Sequence, residues 1–159
     1  VSRSLEARAA AYREVLRRIE LVLEDETDWV AAMATVACEL HHGFDHFDWT
    51  GFYRAEDTEG LVIGPYQGGH GCLRIRWGHG VCGTAAAEGR TLVVPDVREF
   101  PGHIACSTTT LSEIVVPIVD RQGRVFAVLD VDSDRLDAFG PEDVHGLEDL
   151  CRDLGRRFG

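Results

Sequence analysis

The stretch SEIVVPIVDRQGRVFAVLDVDS, residues 112–133, decides the fold. Two apolar runs flank the polar turn DRQG, the pattern of a β-hairpin. On the second run Ala127, Leu129 and Val131 alternate with Val128, Asp130 and Asp132. The two aspartates therefore share one strand face and leave the other to aliphatic side chains. On the first run Glu113, Val115 and Pro117 share a face. A two-residue loop (Arg121, Gln122) and a four-residue loop (Asp120 to Gly123) give the same register. That register sets Glu113 opposite Asp130, with Cβ atoms ~5 Å apart. A loop of odd length breaks it.

Carboxylates in an otherwise apolar strand need a reason. If they are enclosed, like charge and desolvation raise the pKa of at least one of them. A carboxylic acid that keeps its proton near neutral pH is a proton donor. The competing reading is a solvated acidic face.

Upstream, residues 4–24 read as a helix in which Leu5, Ala9, Tyr12, Leu16, Ile19 and Leu23 form a heptad seam, widened by Val15 and Val22. Such a seam packs on its own domain or on a partner helix. Thr27 is placed to cap a second helix running to about His42, with Val30, Met33, Ala37, Leu40 and Phe44 on its apolar face and Cys38 beside that stripe. The period then changes to two. DWTGFYRA and GLVIGPYQG read as strands joined by EDTEG. CLRIRWGHGVCGTAAAEGRT gives a short strand, a Gly-rich turn and a short helix from near Val81, and LVVPDV a further extended segment. Residues 98–112 form a long loop, the kind that carries function on a compact domain. Pro141 opens a closing helix with Val144, Leu147, Cys151, Leu154 and Phe158 on its apolar face.

This order predicts an α+β domain with a central antiparallel sheet flanked by N- and C-terminal helices. The expected layout is one domain over 1–159: helices in 1–44, sheet, loops and site in 45–139, and a helix in 140–159. The formal net charge of −11 and the absence of a basic stripe argue against nucleic-acid or anionic-membrane binding. No apolar run has the length to span a bilayer. The amphipathic N-terminal segment does not read as a secretion signal, so a cytoplasmic protein is expected.

The five cysteines, Cys38, Cys72, Cys82, Cys106 and Cys151, do not form the even set of a secreted disulfide framework. Cys106 lies in the long loop leading into Glu113, while Cys72 and Cys82 flank the Gly-rich turn. Zinc ligation with His70, His79 and His103 lacks a close CxxC or HxxxH pair. Inert buried thiols and redox chemistry, in which one cysteine attacks and another resolves, remain open.

The motifs WTGFY, GPYQGGHGCLRI, GHGVCGTA, VPDV, GHIAC, SEIVVPI and AVLDVDS follow one another. Together they resemble the free methionine-R-sulfoxide reductases, a family with the GAF fold, from about Asp48 to Leu150. The resemblance implies that Cys106 is the catalytic thiol and Cys72 the main resolving one, with Cys82 a third that takes part in disulfide exchange. It implies that Glu113, Asp130 and Asp132 contact the sulfoxide oxygen and that Trp49 and Tyr53 line the substrate's methyl end. The family usually has Asp after the catalytic cysteine; this chain has Ser107, which eases thiolate formation at Cys106. His103 is read as a loop-shaping polar residue.

The implied activity is reduction of free L-methionine-(R)-S-oxide through a sulfenic acid and an intramolecular disulfide recycled by thioredoxin, in a homodimer, without a cofactor or a metal. The alternative is a non-catalytic GAF small-ligand or redox sensor.

Overall fold

Strand alternation builds a sheet with two unlike faces, and each face has its own cover. The structure, a computed structural model, describes residues 2–56 and 59–159, with side chains from Leu5 onward. Asp57 and Thr58 of the EDTEG connection lie outside the described residues.

Among the described residues the elements run α1 (Ser2–Val22), α2 (Trp29–Gly43), β1 (Trp49–Glu56), β2 (Gly60–Gln67), β3 (Arg74–Ile75), α3 (Gly80–Glu88), β4 (Leu92–Val94), a 3-10 turn at Val97–Glu99, β5 (Ser112–Val119), β6 (Val125–Ser133) and α4 (Pro141–Phe158). The strands form one antiparallel sheet in the order β3-β2-β1-β6-β5-β4. The α+β class expected from the sequence is present, with a central antiparallel sheet and N- and C-terminal helices packed on it.

One face carries Phe52, Ile114, Val116, Ile118, Ala127, Leu129 and Val131 and packs under α1, α2 and α4. The opposite face carries Trp49, Tyr53, Val115 and Val128, continued by Leu92 and Val94 of β4, and is covered by α3 and the loops. The larger core therefore lies on one side and the smaller core, with the acids, on the other.

The hairpin register departs from expectation. Glu113 stands opposite Asp132, and Asp130 opposite Val115. Two irregularities cause the shift. Asp120 donates its N–H to Arg124 O at 2.8 Å, which closes a three-residue loop with Gly123 at φ 82. That odd loop alone would turn the acids to the other sheet face. Ile118 then pairs with Ala127 and Val119 with Val125, so Phe126 is an extra, bulged residue. The bulge restores the parity, and the register ends two residues from the expected one with every side chain on its expected face. Phe126 packs against Trp29 with ring centroids 5.4 Å apart.

Other expectations need smaller corrections. Asp28, not Thr27, caps α2, accepting from Ala31 N at 2.8 Å. The α1 seam is consumed inside the chain by Tyr12, Val15, Ile19 and Leu23, while Leu5, Val22 and Val30 are exposed. Cys38 is exposed, and Cys151 is buried as expected.

The join between α1 and α4 is polar. Asp143 is fully buried and accepts from Tyr12 Oη at 2.8 Å, Arg8 at 2.7 Å and the Gly140 N–H at 2.8 Å; His46 Nε2 lies 3.1 Å away. Removing the carboxylate strands several buried donors at once. Asp143→Ala is therefore expected to cost about 3–5 kcal/mol of stability. Denaturant unfolding would measure it, and a loss below about 1 kcal/mol would show that the network is not stabilising.

Candidate active site

The acids occupy successive rungs of the sheet. On the first rung Trp49 of β1, Asp132 of β6, Glu113 of β5 and Val94 of β4 stand side by side. On the next, Gly51, Asp130, Val115 and Leu92 follow. Tyr53 continues the face two residues along β1 and pairs with Val128. Gly51 beside Asp130 leaves room for the Trp49 ring, since a Cβ there would meet Trp49 and Tyr66. All three carboxylates predicted from the strand pattern thus share one face and border one cavity.

That cavity has a volume of about 40 Å³. Its floor is Glu113, Asp130, Asp132 and Cys82, and one wall is Trp49 and Tyr53, whose rings stack with centroids 6.0 Å apart. Trp49 is anchored through Nε1–H to Gly69 O at 3.0 Å, which holds the 68–71 turn over the ring. Gly71 lies against Trp49, Tyr53 and Ile63 with no room for a side chain. Cys106 lines the cavity as well, bonded to Cys72 in a disulfide with Cα atoms 5.2 Å apart. The disulfide ties the Gly-rich turn to the long loop. His103 and Ile104, on the same loop, complete the wall. Beyond the disulfide a shallower depression of about 320 Å³ includes Asp48, Ser107, Thr108, Thr109 and Asp134. Ser107 and Thr109 hydroxyls are 3.1 Å apart there.

The electrostatics follow from enclosure. Glu113 and Asp130 are 6% and 5% exposed. Burial first, then the charges of Asp130 and Asp132, holds the Glu113 carboxyl well above its ordinary range. Burial pushes Asp130 up to about 7. Asp132 is raised by burial and by the Asp130 charge. The group therefore retains protons where isolated carboxylates have lost them. Cys82, with Sγ 3.9 Å from Glu113 Oε1, is raised by burial and by the Asp130 and Glu113 charges, so it stays a neutral thiol. Burial lowers His103, whose Nε2 is 3.8 Å from Glu113 Oε2.

The sequence placed His103 as a loop residue and missed its approach to Glu113; only the fold of the long loop reveals it. His70 borders the cavity, whereas His79 donates from Nδ1 to Trp77 O, 3.0 Å away, at the start of α3.

Raised carboxyl pKa values are also a stability statement. Unfolded, these acids ionise in the ordinary carboxylate range; folded, they ionise only at higher pH. Their contribution is intact below the unfolded pKa and is lost as pH rises through the folded values. Glu113→Gln is therefore expected to gain stability relative to the parent at pH 8, with the difference shrinking at pH 4. Parallel melts at the two pH values measure this; an equal difference at both would contradict the enclosure of the acids.

The GAF domain family matches residues 24–157. GAF domain-containing protein A of Dictyostelium discoideum is 48% identical, over 89% of this chain and 88% of that protein. The free methionine-R-sulfoxide reductase of Escherichia coli is 39% identical, over 90% of this chain and 86% of that protein. Among solved structures, the free methionine-R-sulfoxide reductase of Neisseria meningitidis in complex with its substrate is 49% identical, with a TM-score of 0.90 over 94% of this chain and 89% of that one. With its sheet, its cysteines and its acids arranged as described, the chain belongs to the GAF-domain family and, within it, to the free methionine-R-sulfoxide reductases.

Proposed function

We propose that the protein reduces free L-methionine-(R)-S-oxide to L-methionine, with Cys106 as nucleophile, Cys72 as resolving thiol and the buried acids as proton source. The observation that carries this reading is that Cys106, in its disulfide with Cys72, lines one cavity with the proton-retaining carboxylates. In the reduced protein the Cys106 thiolate attacks the sulfoxide sulfur while the Glu113–Asp130–Asp132 group protonates the oxygen. Methionine departs and Cys106 holds the oxygen as a sulfenic acid. Cys72 attacks the Cys106 sulfur, forming the disulfide and releasing water. Two thiols and one sulfoxide thus become one disulfide, methionine and water. Thioredoxin, a dithiol reductant, returns the disulfide to two thiols.

The disulfide state is the spent enzyme on this reading. A cavity of about 40 Å³ holds a few waters. It is far below the ~300 Å³ at which small-molecule sites begin. Reduction frees the long loop and the 68–71 turn from each other, and the inner cavity joins the outer depression. Trp49 and Tyr53 then flank the S-methyl group, and the enclosing loops exclude peptides.

A thioredoxin-coupled assay tests the proposal with free (R)-sulfoxide, free (S)-sulfoxide and an oxidised intact protein as substrates. Turnover is expected with the first alone. Equal rates on the protein substrate would rule out the enclosure, and no turnover with any would leave a redox-sensing GAF domain as the better reading.

A further inference from the structure

The carboxylate floor includes a thiol, Cys82, that neither attack on the sulfoxide nor proton delivery to its oxygen uses. Cys82 is 3% exposed in the first turn of α3, with Glu113 Oε1 3.9 Å from its sulfur. The Cys82 sulfur, one Glu113 oxygen and one Asp130 oxygen all lie within 4.8 Å of one another. Around tetrahedral zinc, with Zn–S and Zn–O bonds of ~2.3 and ~2.0–2.2 Å, such donors stand roughly 3.4–3.6 Å apart. Movements of about 1 Å, within reach of χ rotations, close that difference.

A second observation points to a ligand. Asp130 is 5% exposed and lines the cavity, and its Oδ1 has no hydrogen-bond partner among the described residues. A buried carboxylate oxygen left so is costly. The adjoining space of about 40 Å³ is too small for an amino acid but ample for an ion and a water. His103 adds a nitrogen donor at the same wall.

We propose that Cys82, Glu113 and Asp130 form a binding site for a thiophilic divalent cation of the zinc class. One soft sulfur with two carboxylates selects Zn²⁺ or Cd²⁺ over Mg²⁺ and Ca²⁺, which take all-oxygen shells. On binding, one sulfur–metal and two oxygen–metal bonds form, and the Cys82 proton and any protons held by Glu113 and Asp130 pass to solvent; no electrons move. The ion occupies the seat of the sulfoxide oxygen, so it competes with substrate. This competition rests on the proposed function; the binding does not. The ion is a competitor and not a resident cofactor. Its donors come from α3, β5 and β6, so no short spacing in the sequence announces them.

The test uses the disulfide form, in which Cys72 and Cys106 are not available as ligands. Metal-free protein is titrated with Zn²⁺ against a chromophoric chelator, and separately with Cd²⁺ while thiolate-to-metal charge-transfer absorption is followed. One ion per chain and a charge-transfer band are expected. Cys82→Ser removes the band and weakens Zn²⁺ binding beyond the ~10–100-fold typical of losing an outer-shell partner. Asp130→Asn, close to isosteric, weakens it while retaining the fold by circular dichroism. Cys38→Ser, at an exposed thiol outside the cavity, changes neither readout. Absence of the band, or its survival in Cys82→Ser, overturns the site. In the thioredoxin-coupled assay Zn²⁺ is expected to raise the apparent KM for sulfoxide with kcat unchanged; activity indifferent to saturating Zn²⁺ overturns the competition. A band in a protein without sulfoxide turnover sinks the proposed function and leaves the metal site standing.

Discussion

Cys106→Ser is expected to abolish steady-state reduction of free methionine-(R)-sulfoxide, by at least ~10⁴-fold, the scale on which loss of a covalent nucleophile is felt. A serine hydroxyl is hardly ionised at neutral pH, and its oxygen cannot take up the sulfoxide oxygen as a sulfenic acid does. Cys72→Ser is expected to behave differently. Attack by Cys106 survives, so one methionine per chain appears in a single-turnover burst, and only recycling slows. Cys82 is a poor substitute for Cys72, because burial and the neighbouring acids keep its thiol protonated. Quenched-flow measurement of methionine release, beside steady-state turnover, separates the two steps. Wild-type turnover in Cys106→Ser would falsify the assignment of the nucleophile, and loss of the burst in Cys72→Ser would move Cys72 into the first step.

The acids carry the second large effect. Glu113→Gln and Asp130→Asn each preserve shape and remove an ionisable proton, so each is expected to slow the sulfoxide step by ~10²–10⁴. Disulfide formation between Cys106 and Cys72 by a chemical oxidant needs no proton delivery to a sulfoxide and should proceed in both variants. The pH profile has a definite sign. Protonated carboxyls are the active form, and Asp130 loses its proton around pH 7 as the cluster titrates. Under single-turnover conditions the sulfoxide step should therefore slow as pH rises through neutrality, against the opposing gain from thiolate formation at Cys106. Both variants should lose the falling limb. Near-normal sulfoxide reduction in both would reduce the cluster to a structural feature of the sheet.

Much of this site was legible in one hairpin. Alternation alone put Glu113, Asp130 and Asp132 on one face, because the strand period is two and the apolar partners were unambiguous. The pairing was not legible. It depended on the conformation of Arg121–Gly123 and on the bulge at Phe126, neither of which has a signature in residue type strong enough to choose among loop lengths. The helix seam was legible as a seam, but its outer positions were not. Val22 and Val30 are apolar yet exposed, while Tyr12, Val15, Ile19, Met33 and Ala37 form the buried sides of α1 and α2. Contacts between distant segments were invisible from spacing. The Arg8, Tyr12, His46 and Asp143 network joins residues more than ninety positions apart, and the His103 approach to Glu113 needs the whole loop folded. The Cys72–Cys106 bond came from family likeness, since three thiols near one cavity allow several pairings.

The hairpin turn also has a genetic consequence. Its odd loop and its bulge each reverse the phase of β6, and together they cancel. A deletion of one codon at Gln122, on an exposed tip far from the chemistry, reverses the phase once and sends Asp130 and Asp132 toward the helices unless the bulge moves to compensate. Length drift in this loop across descendants should therefore run in paired steps, with a lone insertion or deletion surviving only beside a second that creates or erases a bulge. A deep library of turn variants, sorted for methionine production, would display that even–odd rule as alternating bands of survival and loss.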